Sequence, residues 1–295
     1  EFRRVLFRSH TSGLTYGFQQ RSNVDAAYRE KKIGEVIKAG TLDSMIEDLA
    51  KIPLEFSPGE AWNYSVSTDV LGYLVGKIAG MPFEQFLKER IFKPLGMNDT
   101  DFFVPADKVH RFAACYSADP QGGFNPLAAE RKGTLTLQDD PTTSSFLSPP
   151  SLVSGGGGLC STAADYLTFC RALLNGGELG GVRLLGPKTL KLMASNHLPG
   201  GVDLPAMSRS MFAEAAYNGI GFGLGFAVTM HPAQTLIAGS PGEFNWGGAA
   251  TTSFFIDPAE ELITIFMTQV LPSSAYPLRR ELRTMVYAAI TESNL

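Results

Sequence analysis

The sequence predicts an α+β fold: an antiparallel sheet flanked by helices, together with a mainly helical part. Apolar residues recur at helical spacing across residues 41–219, and short β-rich runs take over after residue 219. Strands and helices do not alternate, which argues against a doubly wound sheet. Residues 10–295 are therefore expected to form a single domain, with 41–219 mainly helical and 220–295 carrying the strands and a C-terminal helix. No repeat with a period of roughly 20 to 50 residues is visible.

Local signals place the elements along the chain. Residues 1–9 carry three arginines, no helix cap and no continuity with the sequence from His10 onward, and are expected to be a non-native leader. Thr41 is placed to cap a helix over Leu42, Met45, Ile46 and Leu49, with Pro53 as its stop. A turn at Ser57-Pro58-Gly59-Glu60 comes next. Ser67 then precedes Val70, Leu71, Leu74, Val75 and Ile78, an apolar stripe on one helical face that ends at Gly80. Pro82 opens a further helix with Phe83, Phe86, Leu87 and Ile91 inward, ended by Pro94 and Gly96.

Residues 115–150 are rich in Pro, Gly, Ser and Asp, and read as loop with short elements. Gly155 to Gly158 read as a flexible connector, since no Gly-Lys-Ser/Thr comes after and no strand precedes. Ser161 is expected to cap a helix through Ala163, Tyr166, Leu167, Cys170, Leu173 and Leu174, closed by Asn175-Gly176-Gly177. Phe222 to Met230, Thr251 to Ile256 and Leu262 to Met267 read as strands, the last two joined by a turn at Asp257-Pro258-Ala259. Leu278, Leu282, Met285, Val286 and Ala289 mark a C-terminal amphipathic helix.

Composition narrows the function. The chain has 295 residues, 44% hydrophobic and 18% charged, enough for a sizeable core. A net charge of -4 without long runs offers no basic stripe for nucleic acid and no polybasic patch for a membrane. No apolar run approaches the roughly 20 residues of a membrane span. Cys115, Cys160 and Cys170 form no Cys-x-x-Cys pair, and His10, His110, His197 and His231 show no metal-ligand spacing. Neither a metal nor a cofactor is expected, and small neutral partners are more natural.

Two segments carry chemistry: Trp62-Asn63-Tyr64-Ser65-Val66, just before a helix, and Trp246-Gly247-Gly248-Ala249-Ala250. With His10-Thr11-Ser12-Gly13-Leu14, the order from Trp62 to Thr100, and the stretches Gly155 to Pro187 and Gly242 to Gln269, they resemble the serine β-lactamase-like hydrolases, and in particular the family VIII carboxylesterases. The resemblance covers most of residues 10–291 and implies a β-lactamase/penicillin-binding-protein-like fold. That family's Ser-x-x-Lys motif is absent, for no lysine has a serine three places before it. The expectation is a truncated domain lacking the N-terminal strands and the nucleophile helix. Strands near residues 222–267 would then have an uncovered neighbour position, a hazard for solubility.

The resemblance implies roles residue by residue. Tyr64 matches the tyrosine that shares the nucleophile's proton with the motif lysine. A phenol has an unperturbed pKa near 10, so without an adjacent cation it should stay protonated and idle. Trp246, Gly247 and Gly248 match the substrate wall, and the Ala249 N–H matches one oxyanion donor. Val66 offers no amide to a lactam side chain, and an indole in place of a cation suits an uncharged ester. The expected parent activity is short-chain ester hydrolysis through an acyl-enzyme, with this chain itself inactive. A β-lactamase, a D-Ala-D-Ala carboxypeptidase and a non-catalytic binding module are the alternatives, and the compartment, cytoplasmic or periplasmic, stays open.

Overall fold

The structure, a computed structural model, describes residues 2–35, 40–118, 134–209 and 215–294. Phe2–Arg8, left out of the sequence-based fold, form helix α1, with Leu6 buried and Phe7 packed against the helical core. Ser22 opens α2 (Asn23–Glu30) through a capping box: its hydroxyl accepts from the Asp25 N–H while the Asp25 carboxylate accepts from the Ser22 N–H. Thr41 and Ser44 cap α3 (Leu42–Leu49) in the same reciprocal way. α4 (Ser67–Ala79) ends where expected, at Gly80 with φ 66°. Its apolar stripe is buried only near the start, at Val70, because Leu74 and Ile78 are 37% and 81% exposed.

Pro94 does not stop the next helix. α5 (Phe83–Leu87) passes into a π turn (Lys88–Phe92) and on into α6 (Lys93–Leu95), which Gly96 ends at φ 71°. Proline lacks an N–H and crowds the carbonyl one turn back; the wider turn sends the Lys93 N–H to the Lys88 carbonyl and absorbs the defect. In the expected loop region the described residues form only β1 (Cys115–Ser117), β2 (Thr136–Asp139) and a 3-10 turn at Ser145–Leu147. α7 (Ala163–Leu174) is capped by Thr162, one residue later than expected; its hydroxyl accepts from the Asp165 N–H, while the Ser161 hydroxyl pairs with Thr100. Accordingly Thr162→Ala should cost about 1 kcal/mol in urea unfolding and Ser161→Ala less than half as much. Equal losses would return the cap to Ser161.

A hairpin of β3 (Glu178–Leu179) and β4 (Val182–Arg183) precedes α8 (Pro187–Met193) and the short α9 (Leu204–Met207). The run expected as one strand from Phe222 to Met230 is two, β5 (Ile220–Phe222) and β6 (Ala227–Thr229), since Gly223, Leu224 and Gly225 turn the chain between them. α10 (Pro232–Thr235), β7 (Phe244–Gly247), β8 (Ser253–Asp257), β9 (Leu262–Phe266), β10 (Val270–Leu271) and α11 (Leu278–Ala288) complete the chain. β5 to β9 form one antiparallel sheet in sequence order, which leaves β5 and β9 at its edges among the described residues. A smaller sheet, β10-β1-β2, contains a parallel pair, β1 with β10; strands so distant in sequence carry no hairpin constraint.

Side chains alternate across the large sheet, as period 2 requires. Val228, Phe244, Phe254 and Ile256 pack with Cys170 and Leu173 of α7 and Leu190 of α8. On the opposite face Phe255 and Ile237 meet Tyr287 of α11. α11 is amphipathic as expected, with Val286 packed beside buried Tyr287 and Leu278 and Leu282 half-buried, but Met285 of the same stripe is 62% exposed. A second core holds Leu14, Tyr16, Tyr28, Met45 and Val70, and a third places Trp62, Ile220 and Phe222 together at the junction of helices and sheet. Tyr64 and Trp246 lie against this third cluster.

Candidate active site

Tyr64 is held by the segment that runs beneath it. Asn63 donates its N–H to the His10 carbonyl (2.8 Å) and its side-chain amide to the Leu14 carbonyl (2.9 Å), while Val66 donates to the Thr15 carbonyl (3.2 Å). Arg21 and Glu55, paired at 2.8 Å, both hydrogen-bond the Asn63 side chain. Buried hydroxyls continue the bracket, with Ser12 to Ser67 at 2.7 Å, Ser67 to Ser65 at 2.8 Å and Ser65 to the His10 imidazole at 3.3 Å. Ser65, in the loop, and Ser67, the first residue of α4, are thus supports, and the His10-Thr11-Ser12-Gly13-Leu14 segment is the other half of that support.

Aromatic rings close around the phenol. Tyr64 has His10 at 4.9 Å, Tyr16 at 5.2 Å, Trp246 at 5.6 Å and Trp62 at 6.3 Å between ring centroids. β7 therefore brings Trp246 to Tyr64 from 182 positions along the chain, the difference between their residue numbers 246 and 64. Burial pushes the Tyr64 pKa above its usual value, and the Asp69 carboxylate adds to the rise; hydrogen bonding to Trp246 and the charge of Arg279 work the other way. The hydroxyl is therefore protonated at neutral pH. Burial alone lowers the pKa of His10 to about 3, so its imidazole is neutral as well.

Arg279 is the member that motif reading missed. It projects from the first turn of α11, and its Nη2 donates to the Gly248 carbonyl and to the Thr252 carbonyl (3.0 Å). A Cβ at Gly247 would lie 2.6 Å from the guanidinium carbon, so glycine here makes room for arginine. Its signal in the sequence is slight, a basic residue one turn ahead of Arg283 on a helix that otherwise reads as apolar on its inner face. Ala249 lies in the exposed turn after β7, where the Thr251 N–H returns to the Gly248 carbonyl at 3.1 Å. Among the described residues, no group of His, Cys, Asp and Glu could hold a metal ion, and no helix is long and apolar enough to cross a membrane.

The chain that carries this arrangement, a half-buried tyrosine before a helix facing a Trp-Gly-Gly strand, is similar to known proteins along most of its length. The family model described as Beta-lactamase matches residues 8–288. The chain belongs to the Beta-lactamase family. Protein Rv1367c of Mycobacterium tuberculosis is 36% identical over 268 residues, covering 90% of this chain and 61% of its own length. The chain thus spans less than two thirds of that relative. Esterase EstB of Burkholderia gladioli is 32% identical over 293 residues, covering 95% of this chain and 68% of the esterase. Among solved structures, EstCE1, a hydrolase with promiscuous acyltransferase activity, superimposes with a TM-score of 0.74 at 25% identity, over 96% of this chain and 70% of its own. The fold is that of the β-lactamase-like hydrolases, with helices and an antiparallel sheet meeting at the Tyr64 cluster.

Proposed function

We propose that the chain carries the base and the substrate wall of a carboxylesterase-type serine hydrolase, the class that acts on short-chain esters through an acyl-enzyme. Tyr64 serves as its base, Trp246, Gly247 and Gly248 form the substrate wall, and the Ala249 N–H is one oxyanion donor. What supports the ester over an anionic substrate is the indole of Trp246 beside the Tyr64 ring at 5.6 Å, where a charged side chain would favour a carboxylate. Arg279, the nearby cation, directs its Nη2 to the Gly248 and Thr252 carbonyls. The likeness to EstB supports the same substrate class. The chain as it stands holds no Ser-x-x-Lys, so it supplies base and wall without an attacking oxygen.

The test joins this chain to the Ser-x-x-Lys-bearing N-terminal segment of an esterase relative. The fusion should hydrolyse p-nitrophenyl butyrate, and Tyr64→Phe should lower its kcat by about 10²-fold or more. The unfused chain should neither turn over the ester nor take up a fluorophosphonate label. Nitrocefin turnover equal to ester turnover would overturn the substrate class. Labelling of the unfused chain would overturn the requirement for the motif, and a fusion that binds butyrate esters without hydrolysing them would mark a binding module.

A further inference from the structure

Arg279 stands where a helix least favours it. α11 begins at Leu278, and a cation in the first turn meets the positive end of the helix dipole. Its Nε is buried without a hydrogen-bond partner, which is a further cost. Fold stability alone is therefore a poor account of this residue.

Its contacts account for it better. Between β7 and β8 the chain turns through Gly248, Ala249, Ala250, Thr251 and Thr252, and the Gly248 N–H closes the neck of that turn on the Thr252 carbonyl at 3.0 Å. The carbonyls of the same two residues, Gly248 and Thr252, accept from Arg279 Nη2, so one nitrogen bridges both sides of the neck. The far side of the turn is tied to β10, where Thr251 Oγ1 donates to the Val270 carbonyl (2.6 Å) and the Val270 N–H to the Ala250 carbonyl (3.1 Å). Ala249 lies between these anchors and is itself exposed. A Cβ on Gly247 would stand 2.6 Å from the guanidinium carbon, 2.6 Å from Nη2 and 2.8 Å from Nε, so the plane of the group faces the glycine. A lysine ammonium has neither that flat face nor the fork.

Charge adds a second role. Tyr64 is faced by His10 and Tyr16 from the segment beneath it, by Trp246 of β7, by Asp69 of α4 and by Arg279 of α11. Burial keeps the His10 imidazole and the Tyr16 phenol neutral at pH 7. Of the two charged groups, Asp69 opposes ionisation of the Tyr64 hydroxyl and Arg279 favours it. The strand motif places an indole where a cation would serve, and the C-terminal helix brings a cation to the glycine beside that indole.

We propose that Arg279 is a positioning residue of the candidate site, clamping the turn that carries Ala249 and supplying from α11 the positive charge beside Tyr64 that Trp246 does not. The oxyanion role of Ala249 and the base role of Tyr64 rest on the esterase reading above. The clamp and the charge are measurable without turnover.

The experiment first reads the unfused 295-residue chain. In nitrogen-15 relaxation the Ala249 N–H should have the order parameter of rigid backbone, about 0.85, and Arg279→Gln should lower it below about 0.6. With 3,5-difluorotyrosine in place of Tyr64, the fluorine shift follows ionisation of that phenol, and Arg279→Gln should move the midpoint up by about one pH unit or more. Arg279→Lys separates the two effects, because it keeps the charge and loses the fork: Ala249 should loosen while the midpoint stays within about half a unit of the parent. Guanidinium chloride, added to Arg279→Ala below denaturing concentrations, should restore both readouts, which a variant that had merely unfolded would not allow. In the fusion with the Ser-x-x-Lys segment, Arg279→Gln should lower kcat for p-nitrophenyl butyrate by about 10- to 100-fold and leave KM within about twofold. A parent fusion without turnover would count against the esterase reading and leave the unfused chain to decide this one. An Ala249 order parameter unchanged by Arg279→Gln, or a Tyr64 midpoint that does not rise, overturns the proposal.

Discussion

Arg283→Met should destabilise the protein by about 3–5 kcal/mol in urea unfolding, as expected when one partner of a buried ion pair is removed. Arg283 Nη2 lies 2.7 Å and 2.9 Å from the two oxygens of Glu243, and the two side chains are 12% and 0% exposed. Nor can the remaining neighbours compensate: the Asn245 side-chain amide donates to Glu243 at 3.2 Å but carries no charge. The Tyr287 hydroxyl lies 2.7 Å from Glu243 and 2.7 Å from Asp257, and one phenolic hydrogen serves one carboxylate at a time. Asp257 has further donors in the N–H groups of Ala259 (3.0 Å) and Glu260 (3.3 Å), whereas Glu243 would keep a charge with no cation beside it. The double variant Arg283→Met with Glu243→Gln removes the stranded charge and should recover at least half of the loss. A single variant that loses under about 1 kcal/mol would mean that the pair contributes little beyond its shape.

That pair also explains what the apolar pattern of α11 leaves out, although the helix itself, Leu278–Ala288, lies where the sequence places it. Apolar periodicity marks the helix through Leu278, Leu282, Met285, Val286 and Ala289, and Arg279, Arg283 and Tyr287 also reach toward the sheet. Their reason lies on other strands: Glu243 just before β7 and Asp257 at the end of β8 are both fully buried, and only polar partners can meet them. No single-segment pattern carries that information. α3 and the end of α4 are legible because their signals are local, a threonine cap in one and a glycine at φ 66° in the other. Pro94 misleads for a complementary reason: proline forbids one hydrogen-bond pattern, and the chain adopts another.

Much the same division runs through the candidate site. Tyr64 and Trp246 stand in motifs readable at a glance, and the fold brings them into contact. The residues that set their environment belong to no motif of their own. His10 and Tyr16 come from the segment beneath the phenol, Asp69 from the helix after it, and Arg279 from the C-terminal helix. Glycine positions are visible in the sequence as composition only. Gly247 reads there as substrate wall and Gly156 as connector, whereas the structure packs each against other groups, a guanidinium in one case and a cluster of oxygens in the other.

Acid should weaken the fold chiefly through His10 between pH 6.5 and about 4.5, well before most carboxylates titrate. His10 is 3% exposed, ringed by Trp62, Tyr64 and Phe222 at 5.8 Å, 4.9 Å and 5.6 Å, and burial lowers its pKa from 6.5 to about 3. In the unfolded chain the imidazole takes a proton below pH 6.5; in the folded chain it does not until about pH 3. The unfolded state therefore binds the extra proton across that window, and stability falls as pH falls. At 1.36 kcal/mol per unit, the loss by pH 4.5 is about 2–3 kcal/mol, and by pH 3 of order 4–5 kcal/mol. Asp25 and Glu55, whose pKa values are lowered, lose their contributions in the same direction but at lower pH. Asp69, raised by burial, works in the opposite sense and gains as it protonates. A difference between variants separates these. His10→Asn tolerates the left-handed backbone at φ 56° and carries no proton in this range, so it should be less stable than the parent at pH 7 and close most of the gap by pH 4.5. Urea unfolding of both proteins at the two pH values decides it. Parallel losses would show that the imidazole charges without cost, and that the ring cluster around Tyr64 is open to water.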